Sequence, residues 1–197
     1  MTIAKTATAA ALCALFSAAA SAQTAGSEVQ RDVNQQQRIE QGLKNGSLNS
    51  REAGKLEREQ SRVDKMESNA MKDGKLSPDE KARIQRAQNR ASRDIKRDES
   101  NAARGNPNSA SSQRMQADVQ RNINQQKRIE QGIQSGQATN REVGSLERGQ
   151  ARVDRTEARA ARNGHVGAGE QAAVQQAENR QSARIYKDKH NERVRPQ

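Results

Sequence analysis

The chain has 197 residues, 35 Lys and Arg against 24 Asp and Glu, a formal net charge of +11, and only one Cys, one Phe, one Tyr and no Trp. Disulfide scaffolds and thiolate metal centres are excluded by the cysteine count. Single-strand nucleic-acid binding by base stacking is disfavoured too, because it needs aromatic platforms.

Residues 1–22 have the order of a secretory signal peptide: a short start with Lys5, an apolar run from Ala7 to Ala20, then Ala20-Ser21-Ala22. The run is too short and too Ala-rich for a good membrane span. Removal after Ala22 would leave 175 residues without Cys13 or Phe16, and without a transmembrane anchor. The expected location is periplasmic or secreted. Leu, Ile and Val number 21 in those 175, below the roughly 20% where disorder competes with folding. Against that, Ala, Gln, Arg, Glu and Lys abound, and all favour helix.

The remainder of the chain is a tandem duplication. Val29-Gln30-Arg31 recurs as Val119-Gln120-Arg121, Arg38-Ile39-Glu40-Gln41-Gly42 as Arg128-Ile129-Glu130-Gln131-Gly132, and Leu56-Glu57-Arg58 as Leu146-Glu147-Arg148. At a constant offset of 90, 34 of the 71 positions in 28–98 match those in 118–188. The expected organisation is a signal peptide (1–22), a first helical repeat unit (23–99), a flexible Asn/Ser/Gly-rich linker (100–115), a second unit (116–188) and a charged tail (189–197).

Each copy reads as three helices. In the first copy, Val29, Val33, Ile39 and Leu43 share a face over 28–44, ending at Asn45-Gly46. The second helix, 50–72, carries Leu56, Val63 and Ala70 seven apart and ends at Asp73-Gly74. The third opens with Ser77-Pro78-Asp79-Glu80, an N-cap, a first-turn Pro and a capping-box Glu. In the second copy Gly167-Ala168-Gly169-Glu170 replaces that signal, so its third helix should start less firmly. Gly54 and Gly144 sit where a missing side chain would permit close helix approach. The fold class is therefore all-α: a tandem duplication of a three-helix unit, with helical hairpins or coiled-coil-like packing, partly flexible. It forms two thin bundles or one longer assembly, with self-association a further option.

Asp73-Gly74-Lys75-Leu76-Ser77-Pro78-Asp79-Glu80, between two helices, resembles the second half of an EF-hand calcium loop, and three similar stretches surround Gly46, Gly136 and Gly164. The resemblance implies calcium as a cofactor, with Asn69, Asp73 and Glu80 as the nearest ligands. The loop's third position, however, is Leu43, Met71, Ile133 or Ala161, none of which offers a side-chain oxygen. Ordinary helix caps account for the same residues. The Arg-Ile-Glu-Gln-Gly and Leu-Glu-Arg segments also resemble small, basic, uncharacterised secreted proteins of Gram-negative bacteria, a likeness that adds no mechanism.

Nothing in the sequence gathers catalytic groups. His165 and His190 lack a second ligand at helical spacing, and the acid pairs Asp64/Glu67 and Asp154/Glu157 read as charges on solvated helix faces. The expectation is no enzyme and no resident cofactor. A basic stripe is better defined: Arg148, Arg152, Arg155, Arg159 and Arg162 step by 4, 3, 4 and 3 along one helix face, with Arg58, Arg62 and Lys65 as a weaker copy. Like charges at i, i+4 cost a few tenths of a kcal/mol each, and a ladder of them suits an anionic chain or surface. The expected function is an exported helical binding or scaffold protein contacting an anionic polymer or surface, or a protein partner, in the cell envelope. The alternative is a calcium sensor or buffer built on the EF-hand-like loops, and a third is a chain that folds only on its partner.

Overall fold

Residues 10–191 are described by the structure, a computed structural model, with side chains described for residues 25–191. The expected signal segment and the end of the charged tail fall, as to their side chains, outside the described residues. Six helices and no strand occur among the described residues: α1 (Ala10–Asn45), α2 (Ser50–Ala70), α3 (Pro78–Ser100), α4 (Ala110–Gln134), α5 (Asn140–Ala160) and α6 (Ala168–Lys189). The protein is all-α, and none of these helices is long and apolar enough to cross a membrane.

Local chemistry sets the helix ends. Asn49, Ser77 and Thr139 each accept a hydrogen bond from the backbone N–H of the residue three further on, and Glu52, Glu80 and Glu142 reach back to the cap N–H. Gly46, Gly74, Gly136 and Gly164 take φ of 76, 88, 73 and 86°, the left-handed turn that closes the preceding helix. α6 starts on Gly167, which offers no side-chain cap.

The repeats are intertwined rather than separate. The most extensive packing pairs equivalent helices of the two copies, α2 with α5 and α1 with α4. Gly54, near the start of α2, meets Ala161 just past the end of α5, while Gly144 meets Met71 just past the end of α2, so the pair runs antiparallel. Added Cβ atoms would lie 2.6 Å from Ala161 Cβ and 3.0 Å from Met71 Cβ, which is why glycine stands at both crossings. Ser61 donates to the Ala151 carbonyl at 2.7 Å near the middle of the same pair. α3 covers α1 and α2, and α6 covers α4 and α5.

The expected linker, 100–115, is largely built into this body. Residues 110–115 are the first turns of α4, capped by Ser109, with Met115 fully buried. Ahead of them, Gly105 N–H donates to the Gly46 carbonyl at 2.9 Å, and a Cβ at Gly105 would stand 2.3 Å from the Leu48 oxygen.

Apolar side chains form two clusters. One gathers Leu43, Leu48, Leu56, Ile95, Met115 and Val119 among others; the second holds Ile133, Ala138, Leu146, Ile185, Ala25 and Val29, the same positions in the other copy. Between these two apolar ends the interior is polar.

Candidate functional sites in the core and on the α2–α5 face

The middle of the bundle is filled with acids and amides. Glu28, Asp32, Glu57, Asp64, Glu67, Asp118, Glu147, Asp154, Glu157 and Glu178 are all 0–1% exposed, as are Gln60, Gln88, Asn122 and Gln150. Asp64/Glu67 and Asp154/Glu157 are therefore not the solvated surface acids that their spacing suggests. Asp64 follows Val63 of the apolar stripe Leu56–Val63–Ala70 by one position and Glu67 by four, as Asp154 and Glu157 follow Val153, and the antiparallel α2–α5 contact closes over both pairs. Among the described residues a single ion pair reaches these ten carboxylates, from Arg121 Nη1 to Glu178 Oε2 at 3.1 Å.

Amide donors anchor one oxygen of most of them. Gln88 Nε2 donates to Asp32 Oδ1 at 2.9 Å and Glu67 Oε1 at 3.1 Å. Gln36 and Gln126 donate to Glu57 and Glu147 at 2.9 and 3.2 Å. Asn122 donates to Glu157 Oε2 at 2.8 Å, and Gln150 to Asp154 Oδ1 at 3.2 Å. Asp32 Oδ2, Glu57 Oε1, Asp64 Oδ2, Glu67 Oε2, Glu147 Oε1, Asp154 Oδ2 and Glu157 Oε1 are buried with no amide, hydroxyl or cationic donor. Asp32 faces Glu67, Glu57 faces Glu157 and Asp64 faces Asp154 at hydrogen-bonding range, so a shared proton is the one donor these pairs could have. Native proteins leave few such atoms.

Burial opposes ionisation here, and neighbouring carboxylates add to it. Desolvation pushes Asp32 and Glu57 up to about 7, Glu147 and Glu178 to about 8, and Asp118 to about 6. Asp64, Glu67, Asp154 and Glu157 lie well above the usual carboxylate range, first from desolvation and then from a neighbouring carboxylate's charge: Asp154 on Asp64, Asp32 on Glu67, and Glu57 on Asp154 and Glu157. Within this belt, oxygens of Asp32, Asp64 and Glu67 lie within 4.8 Å of one another, and so do those of Glu57, Asp154 and Glu157.

On the outside, the arginine stripes of the two copies meet. Arg58 and Arg62 of α2, Arg155 and Arg159 of α5, and Arg162 just past the end of α5 line one open groove of about 410 Å³, floored by Ser61 and Ala158. All five are exposed, and none makes an ion pair among the described residues, although Glu59 feels the charge of Arg62. Arg148, Arg152 and Lys65 are exposed outside that groove; Arg148 Nε donates to Ser68 Oγ at 3.3 Å.

The EF-hand-like loop is arranged differently. Asp73 Oδ1 accepts from the Lys75 N–H, and Glu80 Oε2 from Ser77 N and Oγ, so both acids serve local turns. Asn69 and Glu80 line a shallow groove of about 230 Å³ together with Arg83, whose charge opposes a cation there. His165 is exposed, and His190 stacks on Tyr186 with ring centroids 4.1 Å apart. Compared with known protein families, curated proteins and solved structures, the chain matches none.

Proposed function

We propose that the protein works by binding rather than catalysis, as an exported helical scaffold that holds a phosphate-bearing anionic polymer in the groove between α2 and α5. The observation that carries this reading is the convergence of five arginines, contributed by both copies, on one open groove, with no carboxylate in an ion pair with them among the described residues. Guanidinium groups match phosphate oxygens bidentately and stay charged at any physiological pH. Residues three or four apart on a helix are about 5–6 Å apart, so the ladder presents a series of closely spaced cations to an extended polyanion. The groove is open and lacks exposed large apolar side chains, which suits surface contact with a flexible chain more than capture of a small molecule.

Inorganic polyphosphate is the probe for the test, read by fluorescence anisotropy of a labelled chain over a salt series. Affinity should fall steeply with salt, because each neutralised phosphate releases a counterion. Replacing Arg58, Arg62, Arg155 and Arg159 by Gln should weaken binding at least about tenfold, each lost charge-assisted contact being worth about 1.5–3 kcal/mol before screening. Unchanged affinity in that variant, with a normal helical spectrum, would remove the groove from the reading.

A further inference from the structure

We propose that the interior carboxylates hold two hard, oxygen-liganded cations of calcium size, one on Asp32, Asp64 and Glu67 and one on Glu57, Asp154 and Glu157. Each trio draws on more than one helix: α1 and α2 for the first, α2 and α5 for the second. Ions bonded to oxygen at 2.3–2.6 Å hold their ligand atoms up to about 5 Å apart, whereas magnesium, at about 2.0–2.1 Å, requires a tighter set. Oxygens gathered within 4.8 Å of one another can share one such ion, and magnesium's reluctance to shed its waters favours calcium in so buried a set of protein oxygens. Without His or Cys in the belt, the donor set favours calcium or manganese over zinc, copper or iron.

The acids are not the whole of the case. Glu147, fully buried and belonging to neither trio, leaves Oε1 without a donor and acts directly on Asp64 and Glu67. Gln150, 0% exposed and donating to Asp154, likewise leaves its Oε1 without a donor, as does Gln60, its 1%-exposed counterpart in the first copy. Gln88, Gln36, Gln126 and Asn122 fix one oxygen of a neighbouring carboxylate and leave the other free, as outer partners of metal ligands do. The two copies also compensate for each other. Asp32 and Gln88 in the first become Asn122 and Glu178 in the second, so the acid moves from the first helix to the third and each copy keeps five of the ten belt carboxylates.

The test uses the full chain, stripped with chelator and held at pH 8. Equilibrium dialysis with calcium should find two ions per chain, and 1 mM calcium should raise the melting temperature by about 5 °C or more. Asp154→Asn with Glu157→Gln should leave one ion per chain. Asp64→Asn with Asp154→Asn should bind none, yet melt higher than the parent without calcium, because two isosteric changes remove mutual repulsion. The arginine-to-glutamine variant of the surface groove should bind both ions as before, which keeps this proposal separate from the polyphosphate reading. No bound calcium or manganese at 1 mM, with melting that responds to pH alone, would overturn it and leave the belt as protonated acids. Full stoichiometry in the Asp64→Asn/Asp154→Asn variant would overturn it equally, by moving the ions elsewhere.

Discussion

Gly54 and Gly144 set how closely α2 and α5 approach, and that approach buries the acids. A methyl at 54 would sit 2.6 Å from Ala161 Cβ, a contact between two backbone-anchored atoms that no rotamer change relieves. Overpacking of this kind costs about 1–3 kcal/mol. Gly54→Ala should therefore lower the urea midpoint clearly, whereas Gly169→Ala, where an added Cβ meets nothing within 4 Å, should hold or raise it. Equal effects at the two sites would mean that the helices are free to separate. Residue identity matters the same way inside the belt: Gln88 serves Glu28, Asp32 and Glu67 from one amide, which no carboxylate at that position could do.

The six helices differ most in how they begin. α3 has Ser77, Pro78 and a closed capping box, while α6 starts on Gly167 with only the reciprocal Glu170 bond, at 2.8 Å. Gly167→Ser with Gly169→Asp copies the α3 start except for its Pro. It should add about 1 kcal/mol, from a side-chain cap, a lost helical glycine and an acid in the first turn. Slower amide exchange over 170–174 is the direct readout, and unchanged protection there would show that this end is held by packing alone. Helices of this kind are legible in the sequence because caps and glycine stops are local: Asn49/Glu52, Ser77/Glu80 and Thr139/Glu142 lie within a single turn. The arginine stripe is legible for the same reason, since it needs only the period of one helix. Its joining with Arg58 and Arg62 across the pair is not, because antiparallel docking of the two copies is a long-range contact. The acidic belt escapes the ordinary rule that charged side chains face water. A signal is nonetheless present: Glu57, Gln60, Asp64 and Glu67 recur unchanged as Glu147, Gln150, Asp154 and Glu157, while exposed Lys55, Lys65 and Asn69 of the same helix do not recur.

At the scale of the whole molecule the charge is divided by depth. Ten of the 24 acids are sealed inside, so if their charge is neutralised there the surface carries a net charge of about +21 rather than +11. Such a surface attracts polyanions more strongly than the formal count implies, and the interior becomes the part that responds to pH. For each buried carboxyl the folded value lies above the unfolded one of about 4, so the native state binds more protons than the unfolded chain. Its stabilising contribution is then complete below about pH 4 and is lost as pH rises through the folded value, between about 6 and 8 for the groups named above. One carboxyl moved from about 4 to about 7 corresponds to about 4 kcal/mol by pH 8, enough to matter in a fold of ordinary stability. With a chelator present, the urea midpoint should therefore fall steadily from pH 5 to pH 9, opposite to a protein held by ionised surface pairs. Calcium should flatten that fall, because an ion that displaces the protons removes the repulsion they were masking. Polyphosphate affinity should change little over the same range, since arginine does not titrate there. A midpoint that instead climbs between pH 5 and pH 9 would show that the belt carries its charges unprotonated in the folded state, and that water or counter-charge reaches it.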